Sequence, residues 1–255
     1  MPLLASIVMA ALAVHVPAGA GPVNTSHPTR VVGNGNARSC TSAAVVAAVR
    51  AGGVIHFSCG PRPVVITMRR TAKVVNTSRE VVLDGGGNVT LSGGGRRRIL
   101  YMDTCDPKQV WTTAHCQDQS SPRLVVQNIT FAEGNSTDRR FDGGGGGAIY
   151  NDGDRMTLSI GGSVFTGNHA NEGGSAIFFV SNDRTGTMAI RHSSLEHNPN
   201  ERFHTPGLPG IYFLGARRPT ISHSTLKLRR GDELSAALLA VMRPRTCSFL
   251  LLSIA

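Results

Sequence analysis

The sequence predicts an all-β protein, a single-stranded right-handed parallel β-helix (solenoid) with a short N-terminal capping helix and a possible C-terminal helix. The first observation is a six-residue unit, apolar-x-x-x-x-apolar, that occurs four times: VQNITF (126–131), IGGSVF (160–165), IRHSSL (190–195) and ISHSTL (221–226). The second is that successive units end 34, 30 and 31 residues apart. Repeats of this period indicate a solenoid, in which each repeat buries its apolar face against its neighbours.

The third observation is the internal order of each repeat. A glycine turn and a second apolar strand lie between successive units, as in Gly146 to Ile149, Gly174 to Ile177 and Pro209 to Ile211. Short β-branched segments bounded by Gly, Asn and Asp are typical of strands, and none of them has helical periodicity. About three strands per repeat describe a parallel β-helix. Its interior would hold two columns of side chains, one of Val126, Ile160, Ile190 and Ile221 and one of Phe131, Phe165, Leu195 and Leu226.

Two tetrapeptides resemble a known family. Gly146 to Ile149 and Phe165 to Asn168 match the GGAI and FxxN motifs that alternate in polymorphic outer-membrane protein repeats, which belong to the pectin-lyase-like β-helix superfamily. The resemblance spans about Val54 to Leu226 and weakens outward. It implies that aromatic rings fill the interior, that Asn side chains bond the next turn, and that glycines supply positive φ. The residues with these structural roles would be Phe131, Phe165, Leu195, Leu226, Asn168, Asn198, Gly146, Gly147 and Gly174.

The chain divides into four predicted parts. Residues 1–20 resemble a signal peptide, because an uncharged apolar run precedes the small residues Ala18-Gly19-Ala20. Residues 21–39 are interpreted as a leader and residues 40–228 as the β-helix domain. Residues 229–255 form a basic and apolar tail, in which 232–242 could be an amphipathic helix. The tail is open to three interpretations: a native cap, a truncated product or a shifted reading frame.

Residues 40–59 predict a cap on the first turn. Thr41 and Ser42 precede a short helix from Ala43 to Ala51, which Gly52-Gly53 ends before a strand. This arrangement resembles the N-terminal cap of pectin-lyase-like β-helices, where a helix closes the interior. Such a cap covers apolar core and unpaired strand edges.

The five cysteines favour disulfides, since an exported chain meets an oxidising environment. Pairing by proximity gives Cys40–Cys59 and Cys105–Cys116 and leaves Cys247 over. Four cysteines allow three pairings, so this one is a prediction. Export also predicts a secreted or surface-attached protein. No segment of the mature chain is long enough to span a bilayer, and we expect a monomer.

The formal charge is +10, and arginine supplies 23 of the 26 basic residues. A basic surface favours acidic partners such as polyuronates or anionic envelope polymers. The alternative is that these charges are only solvated. Nucleic acid is not expected as a partner, because no basic groove interleaved with aromatic residues is visible.

Candidate chemistry centres on two loops in consecutive repeats. Asp152 to Arg155 and Asn182 to Arg184 occupy the same loop position and could share a cation. A lyase would need Ca²⁺ on several carboxylates and an Arg base, whereas a hydrolase would need paired carboxylates. No other cofactor is expected. The alternative is that tight turns simply select Asp, Asn and Gly. The candidate residues are Asp152, Asp154, Asp183, Arg155 and Arg184.

Two histidines also fall in matching places. His192 and His223 follow the first strand of their repeats and would stack on adjacent turns. They could bind a metal ion, or they could form a polar ladder facing solvent.

Three functions remain open. The chain could bind glycans or cell surfaces without catalysis, which the repeat resemblance favours. It could instead cleave an acidic polysaccharide as a lyase or glycoside hydrolase, although the signatures of polygalacturonases, pectinesterases and pectate lyases are absent. It could also be a structural envelope protein.

Overall fold

The computed structural model describes residues 22–75, 78–106, 116, 119–138, 143–199 and 204–227. The predicted signal peptide (1–20) and the tail (229–255), with its possible helix and Cys247, lie outside these residues. One α-helix, α1 (Ser42–Ala51), follows a 3-10 turn at Ala37–Ser39. The strands are β1 (Arg30–Val32), β2 (Gly53–Phe57), β3 (Val64–Thr67), β4 (Ala72–Lys73), β5 (Glu80–Ser92), β6 (Leu100–Asp103), β7 (Arg123–Ala132), β8 (Ile149–Asp152), β9 (Thr157–Gly161), β10 (Val164–Thr166), β11 (Ile177–Val180), β12 (Thr187–Arg191), β13 (Ser194–Glu196), β14 (Ile211–Leu214), β15 (Thr220–Ser222) and β16 (Thr225–Leu226).

The strands form two parallel sheets. The larger has eleven strands and contains the path β1-β2-β5-β7-β10-β13-β16; the smaller has five, in the order β14-β11-β8-β6-β4. Each neighbouring pair within these sheets runs parallel, and the partners come from successive repeats. The prediction of a mainly β protein with few helices is therefore confirmed.

The larger sheet divides into two strips beyond β7. The strand β7 pairs with β9 through Leu124 to Gln127 and with β10 through Thr130 to Ala132. Between the strips the backbone adopts positive φ in every repeat, at Asn128 (53°), Gly162 (57°), His192 (48°) and His223 (49°). This left-handed residue turns the chain between the two halves of each hexapeptide unit.

The strand register aligns the hexapeptide units. Phe165 lies opposite Phe131 and Leu195, and Leu195 lies opposite Leu226. The rings of Phe131 and Phe165 stack with centroids 5.0 Å apart and planes 13° apart. One hydrophobic cluster contains these four side chains together with residues of the smaller sheet. The core therefore lies between the sheets.

Asn168 and Asn198 occupy the buried turn after the stacked aromatic column. Asn168 Nδ2 donates to Phe131 O at 3.2 Å and to Asn198 Oδ1 at 2.9 Å, while its Oδ1 accepts from the N–H of Gly134 at 2.8 Å. Asn198 Nδ2 donates to Phe165 O at 2.9 Å. These side chains therefore join the turn to backbone groups of the neighbouring repeat.

Glycine is required before the strands of the smaller sheet. Gly146 and Gly174 have φ of 62° and 53°. A Cβ on Gly146 would lie 2.1 Å from Ile149 O, and one on Gly147 would lie 2.3 Å from His169 O. These positions exclude side chains, which accounts for the glycines in the repeated turn.

The N-terminal helix lies where the sequence indicates. Thr41 caps α1, since its side chain accepts from the N–H of Ala44, and Gly52 ends it with φ of 69°. Val45 and Val49 are fully buried in the core cluster. The helix begins one residue earlier than predicted.

The region interpreted as a leader (21–39) contains structure. The strand β1 lies within it and pairs with β2, placing Val32 opposite Phe57. Only Val32 of this strand is buried, so the segment lacks the alternating pattern that identifies a strand. The sheet therefore begins before Cys40.

Both predicted disulfides are present, Cys40–Cys59 and Cys105–Cys116. They indicate an oxidising environment. Within the described ranges, no helix is long and apolar enough to cross a membrane.

Candidate functional site

A cleft of about 300 Å³ opens on the larger sheet, at the carboxyl ends of β9 and β12 and beside the middle of β7. In the strand register Gly161 lies between Gln127 and Arg191. Because Gly161 has no side chain, it leaves a gap between the two longer ones. The cleft is lined by Pro22, Val125, Gln127, Asn128, Ser159, Ile160, Gly161, Gly162, Arg191 and His192.

Arg191 supplies the positive charge of the cleft. Its Nε is buried and has no hydrogen-bond partner among the described residues. A guanidinium stays protonated in proteins, and a buried donor without an acceptor costs free energy. An anionic oxygen bound in the cleft would supply the missing acceptor.

The opposite wall is an ordered polar network. Gln127 Nε2 donates to Asp84 Oδ2 and to Val23 O, both at 3.1 Å, and its Oε1 accepts from the N–H of Val23. Asn128 Nδ2 donates to Asp84 Oδ1 at 3.1 Å. Burial opposes ionisation of Asp84, but hydrogen bonds from Thr25, Gly86, Asn128 and Gln127 hold its pKa below the usual value. The carboxylate of Asp84 therefore lies behind this wall, and the guanidinium of Arg191 is the charged group among the lining side chains described above.

The histidine pair meets the cleft through His192, which is one of its lining residues. His192 and His223 stack with ring centroids 4.8 Å apart and planes 15° apart, and both are exposed. Both occupy the left-handed position at which the two strips meet. His192 thus adds a polar ring next to Arg191.

The predicted carboxylates separate into two environments. Asp154 and Asp183 come together, since Asp154 Oδ1 accepts from the N–H of Asp183 at 3.1 Å and from Ser181 Oγ at 3.3 Å. Desolvation opposes ionisation of Asp183, but hydrogen bonds from Thr185 and Ser181 lower its pKa to about 2. Asp154 therefore binds donors of the next loop, whereas Asp183 binds donors of its own loop. Arg155 and Arg184 are exposed in the same loops.

Asp152 lies instead beside Asp103 in the smaller sheet, directly opposite in the strand register. Tyr150 donates to Asp152 at 3.1 Å, and Tyr101 donates to Asp103 at 3.0 Å. Burial, followed by the charge of Asp103, raises the pKa of Asp152 to about 6. Burial likewise raises the pKa of Asp103. Both raised pKa values favour a protonated carboxyl group in the pair of Asp103 and Asp152.

The structure brings Asp154 and Asp183 of the two loops together and pairs Asp152 with Asp103. Asp152 faces Asp103, whereas Asp154 and Asp183 bind hydroxyl and amide donors. Within the residues that the structure describes, no group of three or more His, Cys, Asp and Glu is placed to hold a metal ion. The observed donor set does not fit Ca²⁺, which takes six to eight oxygens.

Sequence reasoning did not single out Asp103, Gln127 or Arg191. A signal for Asp103 exists, because Tyr101-Met102-Asp103 repeats the Tyr-x-Asp order of Tyr150-Asn151-Asp152. A signal for the cleft is weaker. The cleft can be recognised only when the strand register is known, because that register places Gly161 of one unit beside Arg191 of the next.

The chain matches no protein-family model, and no curated protein or solved structure is significantly similar to it.

Proposed function

We propose that this chain is a secreted or surface-attached parallel β-helix that binds an anionic glycan in the cleft beside Arg191, without catalysis. The observation that carries this proposal is the buried Nε of Arg191, which lacks an acceptor at the edge of a gap left by Gly161. Burying such a donor is costly unless a ligand completes it.

The proposed fold is right-handed and pectin-lyase-like. Parallel pairing of successive repeats, a left-handed corner residue in each repeat and one core shared by two sheets support a wound solenoid. The GGAI and FxxN motifs support membership of the superfamily, with repeats like those of polymorphic outer-membrane proteins. The two disulfides support export.

The chemistry of the cleft favours an acidic sugar. Its volume of about 300 Å³ lies at the lower end of small-molecule sites, as a single sugar unit requires. A guanidinium binds carboxylates through paired hydrogen bonds, and a uronate supplies such a group. The net charge of +10 also attracts a polyanionic chain.

The test is a glycan array followed by calorimetry with trigalacturonate, with and without Ca²⁺. Arg191→Gln should abolish binding of the acidic ligand, because it removes the charge while keeping an unbranched polar side chain. Arg62→Gln is the matched control, since Arg62 is exposed and lies outside the cleft. Equal affinities of the two variants would contradict the proposal. A protein that bound nothing on the array would support a structural envelope role instead.

A second candidate function is hydrolysis of an acidic polysaccharide. The pairing of Asp103 with Asp152 favours it, because a carboxyl group with a pKa of about 6 can donate a proton near neutral pH. Release of reducing ends from polygalacturonate, abolished in Asp152→Asn and retained in Asp154→Asn, would support a hydrolase. A lyase would instead produce a Ca²⁺-dependent rise in ultraviolet absorbance.

A further inference from the structure

We propose that a second surface, the arginine ridge, binds a long linear anionic polysaccharide across successive repeats. The ridge comprises Arg155, Arg184, Arg217 and Arg218, and all four side chains are exposed. The inference shares the ligand class of the proposed function but uses different residues and different loops.

Hydrogen bonds stack the three loops of the ridge. The three loops, residues 153–156, 181–186 and 215–219, connect strands of the smaller sheet to strands of the larger one. Arg155 N–H donates to Thr185 Oγ1 at 2.9 Å, which joins the first loop to the second. The N–H of Ala216 donates to Gly186 O at 2.8 Å, which joins the second to the third. Neighbouring parallel strands lie about 4.8 Å apart, so the loops present cationic side chains in a row across the strands.

The nearby acidic groups are engaged within the loops. Asp154 is buried and accepts from Ser181 and from the N–H of Asp183. Both oxygens of Asp183 accept from Thr185 Oγ1, at 2.6 and 2.7 Å. These carboxylates therefore stabilise the loops through hydrogen bonds. The four arginines outnumber them, so the ridge is positive.

Backbone conformation supports a role beyond a tight turn. Arg155 and Arg184 have φ of 58° and 60° in consecutive loops. Turns select Gly, Asn or Asp for this left-handed conformation, because a longer side chain is disfavoured there. Arginine occupies the position in both loops, which places two guanidinium groups at the ridge despite the conformational cost.

The ridge fits a polysaccharide better than a nucleic acid. Its three loops contain no Phe, Tyr or Trp on which bases could stack. The strand β12 separates this corner from the cleft, with Thr187 at the ridge end and Arg191 at the cleft end. At about 3.3 Å per residue, the two surfaces lie roughly 13 Å apart along the strand. A trisaccharide in the cleft therefore tests that site without depending on the ridge.

The experiment compares two triple variants of the whole protein that lose the same charge. Arg184→Gln/Arg217→Gln/Arg218→Gln changes the ridge. Arg62→Gln/Arg69→Gln/Arg70→Gln changes three exposed arginines in or beside the connections that flank β3. Affinity for long polygalacturonate is measured at several salt concentrations, and trigalacturonate reports on the cleft. Single-stranded DNA is the competing polyanion, and thermal unfolding checks that both variants fold.

The ridge variant should bind long polygalacturonate about tenfold more weakly, with a shallower salt dependence, because fewer counterions are released. The control should change affinity less than about twofold. Equal losses in the two variants would overturn the ridge, and so would tighter binding of DNA than of polygalacturonate. Loss of trigalacturonate binding in Arg191→Gln alone would leave the cleft supported, so the two proposals fail separately.

Discussion

Asp103 lies directly opposite Asp152 on a neighbouring parallel strand, and each carboxylate accepts a hydrogen bond from the tyrosine two residues before it. Burial opposes ionisation of both groups, and the charge of each disfavours ionisation of the other. The pair therefore stabilises the fold when it carries a proton. The pKa of Asp152 is raised from 3.8 to about 6.

We predict that Asp152→Asn flattens the pH dependence of stability. The folded state holds a proton on Asp152 more tightly than the unfolded state does. The stabilisation that protonated Asp152 contributes to the folded state is present below about pH 4 and is lost as the pH rises through about 6. The loss is roughly 2 to 3 kcal/mol, because each pKa unit corresponds to about 1.4 kcal/mol. Urea unfolding at pH 4, 5.5 and 7 measures it.

Asp183→Asn is the control of opposite sign, since the pKa of Asp183 is lowered to about 2. Its contribution is present above pH 4 and is lost as the pH falls, so this variant should lose stability at pH 7. If Asp152→Asn and the unmodified protein lose stability in parallel between pH 4 and pH 7, the raised pKa of Asp152 is wrong.

Phe165→Ala should destabilise the protein strongly. The ring is fully buried and stacks on Phe131 at 5.0 Å, so truncation opens a cavity in the middle of the core. We expect a loss of about 3 to 5 kcal/mol in the free energy of unfolding, measured by urea denaturation. Val164→Ala is the adjacent control, because Val164 is 38% exposed. It should cost less than about 1 kcal/mol, and a comparable loss in both variants would contradict the proposed packing.

Asn168→Ala should cost about 2 to 4 kcal/mol, because it leaves the N–H of Gly134 buried without its acceptor and removes the hydrogen bonds to Phe131 O and to Asn198. Asn168→Asp should not rescue the loss, since a carboxylate would face two acceptors, Phe131 O and Asn198 Oδ1. The measurement is the unfolding free energy, with the exposed Asn182→Ala as control. Full stability of Asn168→Asp would show that these amide hydrogen bonds matter little.

Removing the disulfide Cys40–Cys59 should loosen the N-terminal end. The bond closes a chain segment with a sequence separation of 19 and anchors the residue before Thr41, the cap of α1. Cys40→Ser/Cys59→Ser should cost about 3 kcal/mol in the chain-entropy account. Hydrogen exchange of residues 42–51 should become faster than in Cys105→Ser/Cys116→Ser. Equal exchange rates in the two double variants would mean that the helix does not depend on this disulfide.

Some parts of the structure follow from local sequence alone. A hexapeptide with apolar ends, repeated about every thirty residues, places Phe131, Phe165, Leu195 and Leu226 at matching positions, and they pair in that register. The capping residues set the limits of α1 within one residue. The disulfides follow from short sequence separations. In each case the determining signal is periodic or contained in a short segment.

Tertiary structure decided which of the polar side chains meet. Asp103 and Asp152 are opposed, although the interrupted repeat between them leaves no fixed period from which to infer that pairing. Gly161 acquires its role only because Gln127 and Arg191 lie on the strands at either side. Burial and the strand partners on each side determine which polar groups interact, and a sequence read one segment at a time contains neither.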